Sequence, residues 1–245
     1  MLNDAHLIFP DWPAPPSVKT LQTTRLGGTS AAPYESLNLA SHTGDDALKV
    51  AQNRQALSHY VPSEPIWLKQ VHGIKVIDAA TASCEPEADA TIATVPGAVC
   101  AVMTADCLPV LLCDAAGTAV GAAHAGWRGL LAGVIEATVD AMHKPPQQIM
   151  AWLGPAIGPL AFEVGAEVRD AFIAYDAQMA RAFSPQTQDK WLGDIYLLAR
   201  QRLQALGVQQ IYGGGLCTYT DEARFFSFRR DDVTGRMASM IWLSD

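Results

Sequence analysis

The stretch AVCAVMTADCLPVLLCDAAGTAVGAAHAGWRG, residues 98–129, decides how this chain folds. Ala98–Met103 and Pro109–Cys113 are short apolar runs, rich in Val and Leu and bounded by turn residues, a pattern that predicts two buried strands. A third run follows Gly117. Asp106 and Cys107 interrupt the first two, placing an acid and a thiol where a core strand would otherwise continue. An ionised carboxylate buried alone is costly, so this pair demands a partner close by. His124, at the end of the third run, is the candidate. After it, Ala-Gly-Trp-Arg-Gly leads into a helical pattern from Leu130 to His143, a strand-to-helix junction whose backbone N–H groups suit an anion.

Downstream, helix and strand alternate. Ile149–Leu153 reads as a strand that ends in the rigid loop Gly154-Pro-Ala-Ile-Gly-Pro. A helix is expected from Phe162 to about Phe183, and another from Leu192 to Leu206, stopped by Gly207. A short strand, Gln210–Tyr212, precedes Gly213-Gly-Gly. Phe225-Phe-Ser-Phe-Arg-Arg-Asp and Met237–Leu243, joined by a turn at Thr234-Gly235, suggest a terminal hairpin.

Upstream, a Pro-rich segment leads into a strand at Val18–Thr24, and Gly27-Gly28 reads most simply as a hairpin closure. Arg25 beside that flexible Gly-Gly-Thr-Ser also has the reach to hold phosphate or carboxylate in its fork. Asp45 or Asp46 caps a helix from Ala47 to about Tyr60, and His42 and His59 read as surface residues. Ile66–Gly73 and Ile74–Ile77 suggest a strand pair turning at His72-Gly73. Ala88-Asp89-Ala90 precedes another strand, so Asp89, Asp106, Cys107 and His124 are expected on consecutive strands whose ends lie side by side in a sheet. The pattern favours a mixed sheet covered by helices, α+β or α/β.

With 245 residues, 49% of them hydrophobic and 17% charged, the chain is long enough to bury a large core, and one domain over 1–245 is expected. A net charge of −8 with no basic run longer than Arg229-Arg230 argues against duplex nucleic acid as a partner. No long uncharged apolar run and no basic leader are present, so neither membrane nor export is expected and a cytoplasmic location is. Five cysteines (84, 100, 107, 113 and 217) form no CxxC, which favours free thiols or a metal ligand over disulfides. Cys84, Cys100 and Cys113 read as core or loop thiols.

His72, Cys107 and His124 are too far apart in sequence for a zinc-finger signature. Ligand type says more than spacing. Two imidazoles and a thiolate suit Zn²⁺ and leave a fourth tetrahedral position open, the mark of a catalytic site. Such a metal makes hydroxide available at neutral pH, and Asp106 or Asp89 is placed to orient a ligand histidine or to shuttle a proton. On these residues alone a core thiol with two hydrogen-bonded histidines fits as well, and so does a metal-free pair with Cys107 as nucleophile and His124 as base.

The motifs Thr24-Arg-Leu-Gly-Gly-Thr-Ser, Ser36-Leu-Asn-Leu, Lys69-Gln-Val-His-Gly, Ala88-Asp-Ala, Thr104-Ala-Asp-Cys-Leu-Pro-Val, Ala123-His-Ala-Gly-Trp-Arg-Gly, Gly154-Pro-Ala-Ile-Gly-Pro and Phe226-Ser-Phe-Arg-Arg-Asp occur in order along nearly the whole chain. Together they resemble the YfiH or laccase-domain family, whose members are also called polyphenol oxidases, purine nucleoside phosphorylases or peptidoglycan editing factors. The resemblance implies an α+β fold, an α/β/β/α sandwich with mixed sheets inside and helices outside, similar to the catalytic domain of cytotoxic necrotizing factor toxins. It also implies a zinc site at His72, Cys107 and His124.

For the oxidase role the inventory is short. After the proposed site only His6, His42, His59 and His143 remain, and no His-x-His occurs, too few for a multicopper cluster, although a single copper could occupy the zinc site. Phosphorolysis of adenosine, inosine or methylthioadenosine, with deamination of adenosine, is the leading expectation. It needs an anion cradle for phosphate, for which Arg25, Asn38, Arg128 and Arg229 are the candidates, with Cys107, His124, Asp106 and Asp89 as the catalytic set. The alternative is a Cys-His hydrolase editing peptidoglycan precursors. A nucleoside and phosphate are the expected small-molecule partners, and the chain is expected to be a monomer or weak homodimer.

Overall fold

The computed structural model describes residues 2–82, 85–187 and 189–245, so Cys84 lies outside the described residues. Its strands, in chain order, are β1 (Leu7–Ile8), β2 (Val18–Thr23), β3 (Val76–Asp78), β4 (Ala90–Ala93), β5 (Cys100–Thr104), β6 (Leu108–Asp114) and β7 (Val120–Ala125). They continue with β8 (Ile149–Leu153), β9 (Glu163–Gly165), β10 (Phe183–Pro185), β11 (Lys190–Gly193), β12 (Gln210–Gly213) and β13 (Met237–Leu243). The helices are α1 (Ala47–Ala56), α2 (Trp127–Ala132), α3 (Val134–Ala141), α4 (Ala166–Tyr175), α5 (Ile195–Leu206) and α6 (Phe228–Asp231). A mixed six-stranded sheet runs in the order β12-β8-β6-β7-β4-β3, and an antiparallel four-stranded sheet runs β1-β2-β13-β5. A small third sheet, β10-β11-β9, stands apart from both.

Side-chain alternation explains why the two large sheets stack. Along β6, Leu108, Val110 and Leu112 enter one apolar cluster with α3 and α5 residues such as Ile135, Val139, Leu198 and Leu203. The intervening Leu111 and Cys113 enter a second cluster, which holds Val102 of β5 and Ile241 and Leu243 of β13. Both faces of β6, β7 and β8 are therefore covered, one by helices and the other by the second sheet. That double burial is why the sequence shows continuous apolar runs there instead of alternation. On the far side of the four-stranded sheet, Ala101, Met103, Met240 and Trp242 pack against Leu57 and Val61, which follow α1. The layers are helix, sheet, sheet, helix, the α+β arrangement implied by the family resemblance.

Several expected elements resolve differently. The strand pair at Ile66–Ile77 does not form: Val76 and Ile77 do enter a strand, β3, but it pairs with β4, while Ile66 and Lys69 make only isolated bridges, to Cys100 and Glu87, and His72 turns with φ 61°. The N–H groups of Val71, His72 and Gly73 all point to the Asp89 carboxylate and not to a neighbouring strand. The helix expected over Phe162–Phe183 is broken into β9, α4, a 3-10 turn and β10, because Asp176 leaves helical geometry and caps the next turn through Gln178 N–H. The helix after His124 is split at Gly133, whose φ of 105° ends α2 and starts α3. Leu192 belongs to β11, and α5 begins only at Ile195, with Asp194 as its cap. The terminal hairpin does not form, since Phe228–Asp231 is a helical turn and β13 pairs with β2 and β5.

Candidate metal centre

Cys107 sits where the chain leaves one sheet for the other. β5 lies in the four-stranded sheet and β6 in the six-stranded one, so Ala105-Asp106-Cys107 cross between them. This corrects the expectation that all the site strands are neighbours in one sheet. It holds for β6 and β7, where Pro109 pairs with His124, and for β4 and β7, where Ala90 pairs with Ala123. Asp106 makes the crossing with φ 90°, a left-handed conformation that a non-glycine residue adopts at a cost of about 1–3 kcal/mol. Its surroundings hold it there: one carboxylate oxygen accepts from the Thr218 hydroxyl at 2.6 Å, the other from the Arg229 backbone N–H at 2.6 Å, and its carbonyl accepts from Ile157 N–H at 2.9 Å.

At this crossing His72, Cys107 and His124 converge, with one donor atom from each lying within 4.8 Å of the others. The Cys107 Sγ–His72 Nε2 separation is 3.7 Å and the two imidazole rings meet edge-on, centroids 4.8 Å apart. Ordinary Zn–S and Zn–N lengths in a tetrahedral site put sulfur and nitrogen about 3.6 Å apart. The donor set and its spacing fit a divalent ion of the zinc class. Gly126 makes the convergence possible: a Cβ there would come within 2.8 Å of His72 Cδ2 and 2.9 Å of Cys107 Sγ.

Asp89, fully buried, holds the centre together from behind. Its carboxylate takes His124 Nδ1 at 2.8 Å and the N–H groups of Val71, His72 and Gly73 at 3.2, 2.9 and 2.7 Å, so one side chain orients one candidate ligand histidine and shapes the loop carrying the other. With Nδ1 engaged, His124 is left with Nε2 for the centre. Burial works to raise the Asp89 pKa, but the hydrogen bonds from His124 and Gly73, the His124 charge and the Val71 N–H together hold it below the usual carboxylate range. Burial likewise opposes ionisation of Cys107, yet the charge and hydrogen bonds of His124 and His72 lower its pKa. His124 is raised against its own burial by the adjoining Cys107 and by Asp89.

The centre opens into a cavity of about 410 Å³, a size that suits a small organic ligand. Apolar walls come from Met103, Trp127, Ile157, Phe162, Ile195 and Phe228, and the polar groups that reach it include Gln70, Asp106, Arg128 and Arg229. Arg128 stacks on Trp127, its guanidinium carbon 4.4 Å from a ring centroid, and Arg229 donates through Nη1 to the Glu163 carbonyl at 2.8 Å.

Arg25 and Asn38 do not line this cavity. Arg25 donates to the Glu35 and Glu222 carbonyls and lies over the Phe226 ring, tying loops together. Buried Asn38 donates to Ala40 O, Thr43 Oγ1 and Asp45 Oδ2 and accepts from the N–H groups of Ala40 and Arg236. Two cavity residues, His42 and Arg236, were not expected there, His42 being read as surface only. The available signal for Arg236 was its place in the tight turn Thr234-Gly-Arg immediately before a strand, but nothing in spacing ties that turn to Cys107.

A family described as "Multi-copper polyphenol oxidoreductase laccase" matches residues 19–244. The chain belongs to this family. It is 57% identical over 242 residues to the Escherichia coli (strain K12) protein named "Purine nucleoside phosphorylase YfiH", covering 98% of this chain and 99% of that one. It is 54% identical over 239 residues to "Purine nucleoside phosphorylase PA4543" of Pseudomonas aeruginosa, covering 97% and 98%. The crystal structure of Neisseria meningitidis protein NMB0706 superposes with a TM-score of 0.97 at 51% identity, covering 98% of this chain and all of that one. The family's copper-oxidase description meets a single group of three His, Cys or acidic side chains spaced to hold an ion among the described residues. No helix among them is long and apolar enough to cross a membrane.

Proposed function

We propose that this chain is a zinc-dependent purine nucleoside phosphorylase, releasing base and pentose 1-phosphate from adenosine, inosine or methylthioadenosine, and that the same site deaminates adenosine. The observation that carries the reading is the His72–Cys107–His124 donor group in a largely apolar cavity that Arg128, Arg229 and Arg236 also line. The names of the 54–57% identical relatives support the nucleoside assignment.

In phosphorolysis the ribose carbon becomes cation-like as phosphate attacks and the purine departs, so the protein must hold an anion against that carbon and keep water out. Arg128 and Arg229 supply the positive wall for the phosphate. Phe162, Ile195 and Phe228 offer apolar surface to the base. Asp106 acts by position: accepting the Arg229 N–H fixes that arginine relative to Cys107. Asp89 keeps His124 in one tautomer and one orientation. When bound by His72, Cys107 and His124, zinc supplies Lewis acidity, which makes hydroxide available for deamination at neutral pH.

The test is base release from adenosine and inosine by metal-replete protein, with and without phosphate. Phosphate-dependent formation of pentose 1-phosphate is expected, and Cys107→Ala should abolish it. Absence of base release from pure, zinc-loaded protein overturns the reading.

A second reading is favoured by the lowered Cys107 thiol beside a raised His124 that is backed by Asp89, an order that also serves a Cys-His hydrolase. Chelation separates the two, since removing the metal should abolish the phosphorylase and leave a thiol nucleophile active.

A further inference from the structure

The cavity reverses the sign of the chain as a whole. The protein carries a net charge of −8, yet the cavity is lined by Arg128, Arg229 and Arg236 against one carboxylate, Asp106, whose two oxygens already accept from Thr218 and Arg229. Among the described residues Arg54, Arg169, Arg202, Arg224 and Arg230 each face a carboxylate; the three cavity arginines do not, nor do Arg25, Arg181 and Arg200 outside it, so what sets the three apart is that they share one cavity. Three guanidinium groups lining one cavity, against a single carboxylate whose oxygens are already hydrogen-bonded, are the makings of an anion site.

Within that trio Arg236 is the most tightly built in. Its Nη1 donates to the carbonyls of Thr234 and Gly235 at 2.9 and 3.0 Å, and its backbone N–H donates to Asn38 Oδ1 at 2.9 Å. Its guanidinium carbon is 5.8 Å from the Phe228 ring centroid. These contacts use one nitrogen of the fork, and among the described residues Nε and Nη2 meet no acceptor. Burial pushes the guanidinium pKa down, and the charges of Cys107 and Asp106 are near enough to work against that. Asn38 thus has a role its motif did not reveal: it grips the backbone of Arg236 from behind.

We infer that Arg236 is the innermost contact for an oxyanion in this cavity, binding inorganic phosphate through its free Nε and Nη2, with Asn38 as the residue that positions it. The identity of the anion rests on the phosphorolysis reading, while the anion site itself rests on the three unmatched arginines.

The experiment is titration calorimetry of inorganic phosphate into zinc-loaded wild-type protein, Arg236→Gln, Arg236→Lys and, as a surface control, Arg181→Gln. Zinc content and circular dichroism verify that each variant is folded and loaded, and initial rates are measured in parallel. Arg236→Gln should weaken phosphate binding about 10- to 100-fold and raise KM for phosphate to match, with KM for the nucleoside unchanged. Arg236→Lys should keep part of the affinity, because it retains charge but loses the fork. Arg181→Gln should bind as wild type. Wild-type phosphate affinity in a folded, zinc-loaded Arg236→Gln overturns the inference, even in an active enzyme, and so does a wild type that binds no phosphate. Arg236-dependent phosphate binding in a protein that releases no base supports the inference and removes the phosphorylase reading instead.

Discussion

Cys100 and Cys113 lie in the apolar layer between the sheets, while Cys107 lies on the loop that carries the chain from one sheet to the other. The interior thiols are pushed up to about 12, chiefly by burial. Cys107 is lowered despite burial, because two imidazoles face its sulfur. The same side chain is thus inert packing in one place and a readily ionised candidate ligand in the other. What separates them is the partners brought in by a strained crossing and by Asp89. Burial without partners keeps a thiol neutral, whereas burial with cationic or metal partners ionises it.

The largest expected effect breaks that contrast outright. Cys107→Ala should lose stoichiometric zinc and all base release. Cys113→Ala should keep both and cost about 1 kcal/mol of stability for the packing it removes. Elemental analysis and denaturant unfolding of the pair decide it. Next is Gly126→Ala. Its methyl would intrude on His72 and Cys107 together, so zinc occupancy should fall sharply while the circular dichroism spectrum stays native. Asp89→Asn should come third, weakening zinc affinity about 10- to 100-fold through misorientation of His124, read by competition with a chelating dye. In alkylation mapped by peptide mass, Cys107 of metal-free protein should react at neutral pH well before Cys100 and Cys113, and zinc should protect it.

The smallest effect belongs to a carboxylate remote from the centre. Buried Asp114 accepts the N–H groups of Thr118 and Ala119 and the Thr118 hydroxyl. Burial tends to raise its pKa, but those bonds and Lys144 hold it below the usual range. A depressed folded-state pKa gives stability that is present above the unfolded value, near about 3.9, and lost as pH falls through the folded one. Asp114→Asn should therefore cost about 1–2 kcal/mol at pH 6, with the difference from wild type shrinking as the pH drops below 4. An equal deficit at pH 6 and pH 2.5 would refute this.

The same contrast explains what could be read from the residues. The runs that became β5, β6 and β8 were legible because both their faces are buried. β13 was expected at its actual bounds, Met237–Leu243, but given the wrong partner, because β2 and β5 lie more than a hundred residues away, whereas a hairpin pairs neighbours. His72 was placed correctly in a turn but for the wrong reason, since the turn is fastened by a carboxylate side chain and not by a strand partner. In the site, His72, Cys107, His124 and Asp89 stood out by residue type and motif. Arg25 and Asn38 looked equally distinctive, yet one ties loops together and the other grips a neighbour's backbone. The turn that holds Arg236 carried no signal of its place, because the pairing of β13 and the distant Asn38 together bring it to the cavity.

X-ray absorption at the zinc edge, on protein loaded with one equivalent of metal, tests the centre most directly. Two nitrogens at about 2.0–2.1 Å, one sulfur at about 2.3 Å and one further light atom are expected, with the sulfur lost in Cys107→Ala. A shell without sulfur, or a sulfur that survives that substitution, would contradict the account.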